Sequence, residues 1–362
     1  MNIVLETWPV ALTALITTFL SIRLLRPIAL KTNLVDVPDE RKQHQGHIPL
    51  TGGLSIFAGL IIGALTISLF LPASTTNENM AILLATAAII LVMGLVDDYR
   101  KLGAIPRILI QCIACLIMML YTGIHVKTLG NIAGLGEVTL GIWGVPFTLL
   151  AVVGFINALN MTDGIDGLTG GLVLTAILAI FTFQMATGFY AHADKLLLLA
   201  VVMIPYMISN LGLFGMNKIF LGDAGSMLMG YLIGWTIIIL TQPAQPSIEP
   251  VFALWCVAIP LLDMWAVMFK RMRRGLSAFT SDRGHLHHLF ISHGVGDRRA
   301  LILILVFAIS IVMIGLLVSM LFPDSGFWAF LVVMVFYTTA NQYFDGRQPE
   351  QPTPGAESTD SE

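Results

Sequence analysis

Charged residues are scarce in this sequence of 362 residues: 11% are Asp, Glu, Lys or Arg, whereas 56% are hydrophobic. Soluble domains carry about 25% charged residues, so the composition excludes an ordinary water-soluble protein. It predicts an all-α polytopic membrane protein, because a spanning helix needs about 20 mostly apolar residues. Eleven segments qualify: residues 6–27, 51–71, 80–96, 105–122, 143–160, 169–188, 196–214, 225–241, 250–269, 300–321 and 326–343.

Cysteine is also rare, and Cys112, Cys115 and Cys256 all fall within predicted spans. Reactive cysteines need an accessible, electropositive setting. Cys112 and Cys115 are therefore predicted to share a helix face, and no disulfide framework is implied.

Repeats of fixed period and soluble-domain boundaries are lacking too, which predicts one membrane domain over residues 1–345. The Pro-rich, acidic tail at 346–362 is predicted to be disordered. The last two predicted spans contain few polar groups and are interpreted as packing elements. Residues 123–141 are expected to form a short hairpin on the outside.

Lys and Arg are distributed unequally among the loops. If the loops after the odd-numbered spans share one side, only Lys127 and Lys195 of the 19 basic residues lie opposite. Because basic loops remain in the cytoplasm, this predicts a periplasmic N-terminus and a cytoplasmic C-terminus. The first span lacks a cleavage site and is followed by a basic loop, so it is not interpreted as a signal peptide.

The first basic loop has two interpretations. It could set topology and contact anionic lipid. Alternatively, Gly52 and Gly53 could allow close backbone approach to a ligand, while side chains of the loop donate to phosphate. These donors would be Arg41, Lys42 and His44.

Carboxylates recur at the predicted cytoplasmic ends of spans, namely Asp97, Asp98, Asp163, Asp166 and Asp223. A charge inside hydrocarbon costs roughly 2.5 to 3.5 kcal/mol on insertion scales, so these acids should face water or a cation. Each motif alone has a simple explanation. Arg100 and Lys101 could neutralise Asp97 and Asp98, and Asp223 could cap a helix or bind Mg²⁺.

Bases and histidines follow the ninth span, namely Lys270, Arg271, Arg273, Arg274, His285, His287 and His288. The cluster alone could be an orientation signal. Zinc is disfavoured because no cysteine lies near the histidines. Together with the arginines, the histidines fit better as donors to a phosphate or diphosphate.

All of these motifs fall on one predicted face of the membrane. Acids able to hold Mg²⁺, opposite bases and histidines, are the components of phosphoryl transfer. The eleven spans point to a lipid substrate. A secondary transporter is the rival class, although its ionisable residues are expected near mid-span on broken helices with repeat symmetry. A non-catalytic scaffold would need none of the acids.

Four ordered motifs resemble the polyprenyl-phosphate N-acetylhexosamine-1-phosphate transferase superfamily, over roughly residues 5–345. They are Asp-Asp-Tyr-Arg-Lys, Asn-Met-Thr-Asp-Gly-Ile-Asp-Gly-Leu, Phe-Leu-Gly-Asp-Ala-Gly-Ser and His-Leu-His-His. The sequence of the first loop, Val-Asp-Val-Pro-Asp-Glu-Arg-Lys-Gln-His, is similar to that of the branch that starts O-antigen and enterobacterial common antigen synthesis. The phospho-MurNAc-pentapeptide transferase branch usually has three consecutive histidines, which Leu286 interrupts here.

The resemblance implies a multi-pass enzyme of the bacterial inner membrane with its active site on the cytoplasmic face. It would transfer GlcNAc-1-phosphate from UDP-GlcNAc to undecaprenyl phosphate and release UMP. Mg²⁺ is the implied cofactor, with Mn²⁺ as a substitute. Another UDP-N-acetylhexosamine donor remains the nearest alternative. Membrane lipids are expected partners, a homodimer remains open, and no nucleic-acid partner is expected.

The resemblance also implies roles for individual residues. Asp223 would bind the metal with Asp166, and Asp97 would be a base or would orient the lipid phosphate. The implied catalytic residues are Asp97, Asp98, Asp163, Asp166 and His285. The implied substrate-binding residues are Lys101, Asn160, Asn217, Phe220, Arg271, Arg274, His287 and His288. Among these, Lys101 would neutralise a phosphate, Phe220 would stack on uracil, and Arg271 or Arg274 would hold the sugar or diphosphate with His285.

Overall fold

The computed structural model describes residues 3–37, 46–70, 77–132, 134, 136–190, 192–242, 246–277 and 284–346. Its helices are α1 (Ile3–Thr32), α2 (Gly52–Phe70), α3 (Asn77–Arg100), α4 (Ala104–Thr122), α5 (Gly144–Met161), α6 (Leu168–Thr187), α7 (Ala193–Asn210), α8 (Gly222–Thr241), α9 (Pro250–Cys256), α10 (Ala258–Arg273), α11 (Leu286–Ser292), α12 (Asp297–Leu321) and α13 (Gly326–Asp345). The predicted phosphate donors Arg41, Lys42 and His44, and the tail from 347 onward, lie outside the described residues.

Two small antiparallel sheets join the helices. Strand β1 (Val35–Asp36) pairs with β2 (Ile48–Pro49), and β3 (Thr128–Asn131) pairs with β4 (Glu137–Thr139). The second pair confirms the hairpin predicted between the fourth and fifth spans.

Nine helices in the described part of the chain are long and apolar enough to cross a membrane. The predicted span at 250–269 is instead two helices, α9 and α10, bent by 80° at Val257. Counting that pair as one span gives up to ten. The eleventh predicted span coincides with α13, which is helical but outside that set of apolar helices. The helical architecture is confirmed, whereas the count of eleven is not.

Helix α8 occupies the centre of the bundle, because 89% of its most apolar 18-residue stretch is buried. Small residues permit its close packing. A Cβ added at Gly53 would lie 2.6 Å from Gly225 Cα, and one at Gly94 would lie 2.3 Å from Ala224 Cα. The N–H of Gly52 also donates to the Phe220 carbonyl, at 3.0 Å. The close approach predicted at Gly52 and Gly53 is therefore to the chain around the start of α8 and not to a ligand.

The last helix is more than a packing element, so that interpretation is wrong for α13. Polar side chains on its second half bind α10 and the residue preceding His285. The pairs are Asp345 with Lys270 at 2.9 Å and with Arg274 at 3.2 Å, Gln342 with Arg273 at 2.8 Å, Tyr337 with Asp263 at 3.0 Å, and Asn341 with the Gly284 carbonyl at 3.5 Å. These contacts fix the arginine-bearing end of α10 beside the histidine segment.

Candidate active site

The end of α3 carries Asp97, which is 2% exposed. Its carboxylate accepts hydrogen bonds from Arg107 Nη1 at 2.9 Å and from the Leu102 N–H at 2.6 Å. The neighbouring base is thus Arg107 of α4, and not Arg100 or Lys101 as the simple explanation of the motif required. Lys101 ends α3 with a φ of +49° and an exposed side chain.

Asp98 binds the start of α8. It accepts hydrogen bonds from the Asp223 N–H at 2.8 Å and the Ala224 N–H at 3.2 Å. First-turn N–H groups of a helix lack partners within the helix, and the helix dipole favours an anion there. Asp223 itself lies in the first turn, after the N-cap residue Leu221. The N-cap interpretation of Asp223 is therefore wrong, and Asp98 satisfies the helix terminus from a different helix.

Asn160, near the end of α5, completes this cluster. Its Nδ2 donates to Asp223 Oδ1 at 2.8 Å and to Ser226 Oγ at 2.8 Å. Asp98 of α3 therefore binds the backbone of α8, and Asn160 of α5 binds the Asp223 side chain of α8, although these residues are more than 60 positions apart in sequence. We name Asp98, Asn160 and Asp223 the acid cluster.

The Asp-Gly-Ile-Asp-Gly loop is fixed next to the acid cluster by Asn210, which sequence reasoning missed. The Gly167 N–H donates to Asn210 Oδ1 at 2.6 Å, and Asn210 Nδ2 donates to the Ile219 carbonyl at 3.0 Å. Gly167 has a φ of +82°, a conformation that glycine adopts readily. In the same loop, Asp166 forms an ion pair with Lys218. Asn210 thus ties the loop after α5 to the segment preceding α8.

The histidine segment contacts the same loop. His287 is 2% exposed, and a Cβ added at Gly164 would lie 2.0 Å from its Nε2 atom. The rings of His285 and His287 are nearly parallel, with centroids 6.2 Å apart. The structure therefore brings the histidines and the Asp-Gly-Ile-Asp-Gly loop together, as the sequence predicted.

Burial, and to a smaller extent the neighbouring His288, lowers the pKa of His287 to about 3, so the imidazole is neutral near pH 7. An unfolded His protonates near pH 6.5, so acid favours unfolding, and the stability due to the neutral ring is lost as pH falls from about 6.5 towards 3. The first pH unit below 6.5 should remove about 1 kcal/mol, and each further unit down to about pH 3 should remove up to about 1.4 kcal/mol.

This predicts a steeper fall of the wild-type melting temperature with acidification than that of His287→Gln, measured in detergent by scanning fluorimetry. Slopes are compared, so a lower starting stability of the variant does not affect the test. Parallel slopes would contradict the buried, neutral state of His287.

The remaining predicted residues differ in their surroundings. Arg271 is buried, whereas the exposed Arg274 forms an ion pair with Asp345. Phe220 and His288 are half-buried, and Asp163 and Asn217 are exposed. Their implied roles towards substrate stay predictions.

The donor set fits a magnesium ion. Among the described residues, no group of three His, Cys, Asp or Glu side chains is arranged to hold a metal. Mg²⁺ needs no such group, because it is commonly bound by one or two carboxylates together with substrate phosphates and water. Asp223, fixed by Asn160 and next to Asp98, provides such a carboxylate. The predicted second ligand, Asp166, is engaged with Lys218.

Comparison with known proteins identifies relatives over most of the chain. The family model described as Glycosyl transferase family 4 matches residues 80–241. An undecaprenyl-phosphate alpha-N-acetylglucosaminyl 1-phosphate transferase of Yersinia pestis is 40% identical over 293 residues, which cover 81% of this chain and 79% of the relative. The proteins of that name from Escherichia coli K12 and Haemophilus influenzae are 38% and 37% identical, over 86% and 87% of this chain and 83% and 87% of their own lengths.

Proposed function

Because this chain belongs to glycosyl transferase family 4, like these relatives, we propose that it transfers GlcNAc-1-phosphate from UDP-GlcNAc to undecaprenyl phosphate. The products are undecaprenyl-diphospho-GlcNAc and UMP. The reaction is the first membrane step in the synthesis of a polysaccharide of the O-antigen or enterobacterial common antigen type. The observation that carries the proposal is the contact of three motifs in the acid cluster, with His287 packed on the adjoining loop.

The proposed reaction is a displacement at the β-phosphorus of the donor. An oxygen of the lipid phosphate forms the new bond to that phosphorus, and the bond to the bridging oxygen of UMP breaks. UMP leaves with the electron pair, so nothing is oxidised or reduced. The second pKa of a phosphate monoester is about 6, so the acceptor is largely ionised at pH 7 and hardly needs a base.

Asp97 therefore suits orientation better than proton abstraction. Two hydrogen bonds hold its carboxylate, and Arg107 places a positive charge beside it. We propose that this pair lies next to the incoming lipid phosphate, where Arg107 and Lys101 offset the charge of the phosphate and Asp97 keeps Arg107 in place.

Mg²⁺, with Mn²⁺ as a substitute, is the proposed cofactor, and Asp223 would hold it with Asp98 beside it. Such an ion neutralises charge on a diphosphate when bound. Asn160 keeps the Asp223 carboxylate oriented, and the Asp98 carboxylate holds the helix that presents it. If Asp166 is the second ligand, it must exchange Lys218 for the ion.

The donor would be held from the histidine side. Arg271 and Arg274, at the end of α10, are the candidates for binding the diphosphate, and Asp345 pairs with Arg274. His285, His287 and His288 flank the Asp-Gly-Ile-Asp-Gly loop. Phe220 offers a half-buried ring for uracil. We place this site at the cytoplasmic face of the bacterial inner membrane, as the distribution of Lys and Arg favours.

A transporter is the less favoured alternative, although α9 and α10 form a broken span of the kind found in transporters. A small cavity lies at the break. No charged residue lines it; the lining includes Phe155, Trp255 and Val312. Such a cavity offers no carboxylate to an ion, whereas the acids gather elsewhere, at the ends of α3, α5 and α8.

The proposal is tested with purified protein in detergent, supplied with undecaprenyl phosphate and one donor at a time. UDP-GlcNAc should release UMP and form a lipid-linked sugar, whereas UDP-GalNAc and UDP-MurNAc-pentapeptide should do neither. Turnover of another donor in preference to UDP-GlcNAc would refute the assigned sugar. Turnover of none, by protein that retains its fold, would refute the enzymatic proposal.

A further inference from the structure

Asp263 is a buried carboxylate in α10 that belongs to none of the four motifs. It is 2% exposed, and three donors surround it. Its Oδ1 accepts hydrogen bonds from the Leu286 N–H at 2.9 Å and from the Tyr337 hydroxyl at 3.0 Å, while Oδ2 lies 2.8 Å from His285 Nδ1. Burial of an unpaired carboxylate is costly, so these bonds fix both its place and its orientation.

The arrangement determines which nitrogen of His285 carries a proton. An ionised carboxylate only accepts hydrogen bonds, and two donors already bind Oδ1. His285 Nδ1 must then donate to Oδ2. Nε2 is the nitrogen left for another partner.

The surroundings of His285 direct its ring towards the candidate active site. The parallel ring of His287 lies beside it and packs on Gly164 of the Asp-Gly-Ile-Asp-Gly loop. Asp263 and Tyr337 contact His285 and its neighbour Leu286 from α10 and α13, the helices that also fix the arginine-bearing segment. Asp263 is therefore not itself expected to contact the substrate, but it binds His285, which is predicted to do so.

We propose that Asp263 is the positioning residue of His285, and that it holds the imidazole with Nδ1 protonated so that Nε2 faces the sugar or diphosphate of the donor. This inference rests on the proposed function. Tyr337 contributes to this positioning, because its hydroxyl donates to Asp263 Oδ1 and keeps the carboxylate from rotating. Groups that orient a metal-binding histidine in this way change activity or affinity by about 10- to 100-fold when removed, and we expect a loss of that size here.

Asp263→Asn should lower kcat/KM for UDP-GlcNAc by about 10- to 100-fold, because the amide can donate to Nδ1 and enforce the opposite tautomer. The KM for undecaprenyl phosphate should not change. Combined with His285→Gln, Asp263→Asn should cause no further loss, since residues that act as one unit are non-additive. Asp324→Asn is the matched control: this carboxylate also accepts from a side chain, Asn131 at 2.7 Å, but lies by the hairpin of β3 and β4.

A purely structural role would give a different result, namely losses that multiply in the double variant, and this would overturn the proposal. Wild-type kinetics in Asp263→Asn would overturn it as well. If Asp263→Asn fails to fold, Tyr337→Phe replaces it in the comparison with His285→Gln and the double variant. Tyr337→Phe loses only a hydroxyl, and its ring can remain stacked on Phe307. Multiplying losses for Tyr337→Phe and His285→Gln would again overturn it.

A measurement independent of turnover separates this inference from the proposed function. In protein labelled with nitrogen-15 histidine, the signals of His285 are those lost in His285→Gln. They should show a protonated Nδ1 in the wild type and a changed tautomer in Asp263→Asn. Unchanged signals would overturn the role of Asp263 whatever the activity. Absence of transfer by the wild type would instead refute the proposed function.

Discussion

Asp223→Asn should reduce the rate of transfer by at least about a hundredfold, because a metal ligand contributes several kcal/mol and each 1.36 kcal/mol is a factor of ten. The amide keeps the size of the side chain and its bond to Asn160, but it loses the charge that would hold Mg²⁺. Affinity for Mn²⁺, followed by electron paramagnetic resonance, should fall together with activity.

Asp194→Asn is the matched control for this variant. Asp194 and Asp223 are each the second residue of their helix, α7 and α8. A general effect of removing an acid from a first turn should therefore appear in both. Normal turnover and normal Mn²⁺ binding by Asp223→Asn would show that the metal assignment is wrong.

Gly53→Ala should destabilise the protein at or above the upper end of the roughly 1 to 3 kcal/mol usual for overpacking. The added methyl would lie 2.6 Å from backbone atoms of Gly225, which cannot move aside as a flexible side chain would. Helices α2 and α8 would have to separate, and the start of α8 carries Asp223. Both melting temperature and transfer activity should therefore fall.

Gly154→Ala separates this packing effect from the general effect of replacing a helical glycine. Gly154 lies within α5, and an added Cβ would meet nothing within 4 Å. Its melting temperature should be unchanged or slightly raised, since alanine favours a helix by up to about 1 kcal/mol over glycine. Equal melting temperatures for the two variants would contradict the close contact of α2 with α8.

Family membership and the meeting of the motifs could be predicted from sequence, and both are confirmed. Asp98 and Asp223 belong to span ends that the basic loops place on one side, so their common membrane face could be predicted without knowledge of helix packing. The partners of these acids could not be predicted in the same way. Arg107 neutralises Asp97 from the next helix, and Asn210 bridges two loops, because hydrophobic pattern defines which residues are helical but not which helices touch.

The break between α9 and α10 shows why some signals are insufficient. Pro260 lies inside the predicted span, and proline in a helix interior removes a hydrogen bond and bends the helix. Yet Pro9 and Pro27 lie within α1, and Pro205 within α7, without dividing these helices. Proline therefore marks places where a helix tolerates a break, while tertiary packing decides which of them breaks.

The polar residues at the end of α13 are visible in the sequence, but the hydrophobic pattern of the helix obscures their role. Asn341, Gln342 and Asp345 occur together at the end of an otherwise apolar helix. Such a cluster fits a helix end that binds its neighbours, here α10 and the residue before His285. The sequence alone marks it only as the end of a span, because its partners, Lys270 and Arg273 among them, lie about 70 residues earlier in the chain.

The most direct measurement follows the β-phosphorus of the donor. With UDP-GlcNAc labelled with phosphorus-32 in the β-phosphate and with undecaprenyl phosphate, the reaction should place the label in the lipid product and release unlabelled UMP. Appearance of the label in released UDP, with unlabelled phosphate on the glycolipid, would mean that the sugar alone is transferred. That result would contradict displacement at the β-phosphorus by residues of this site.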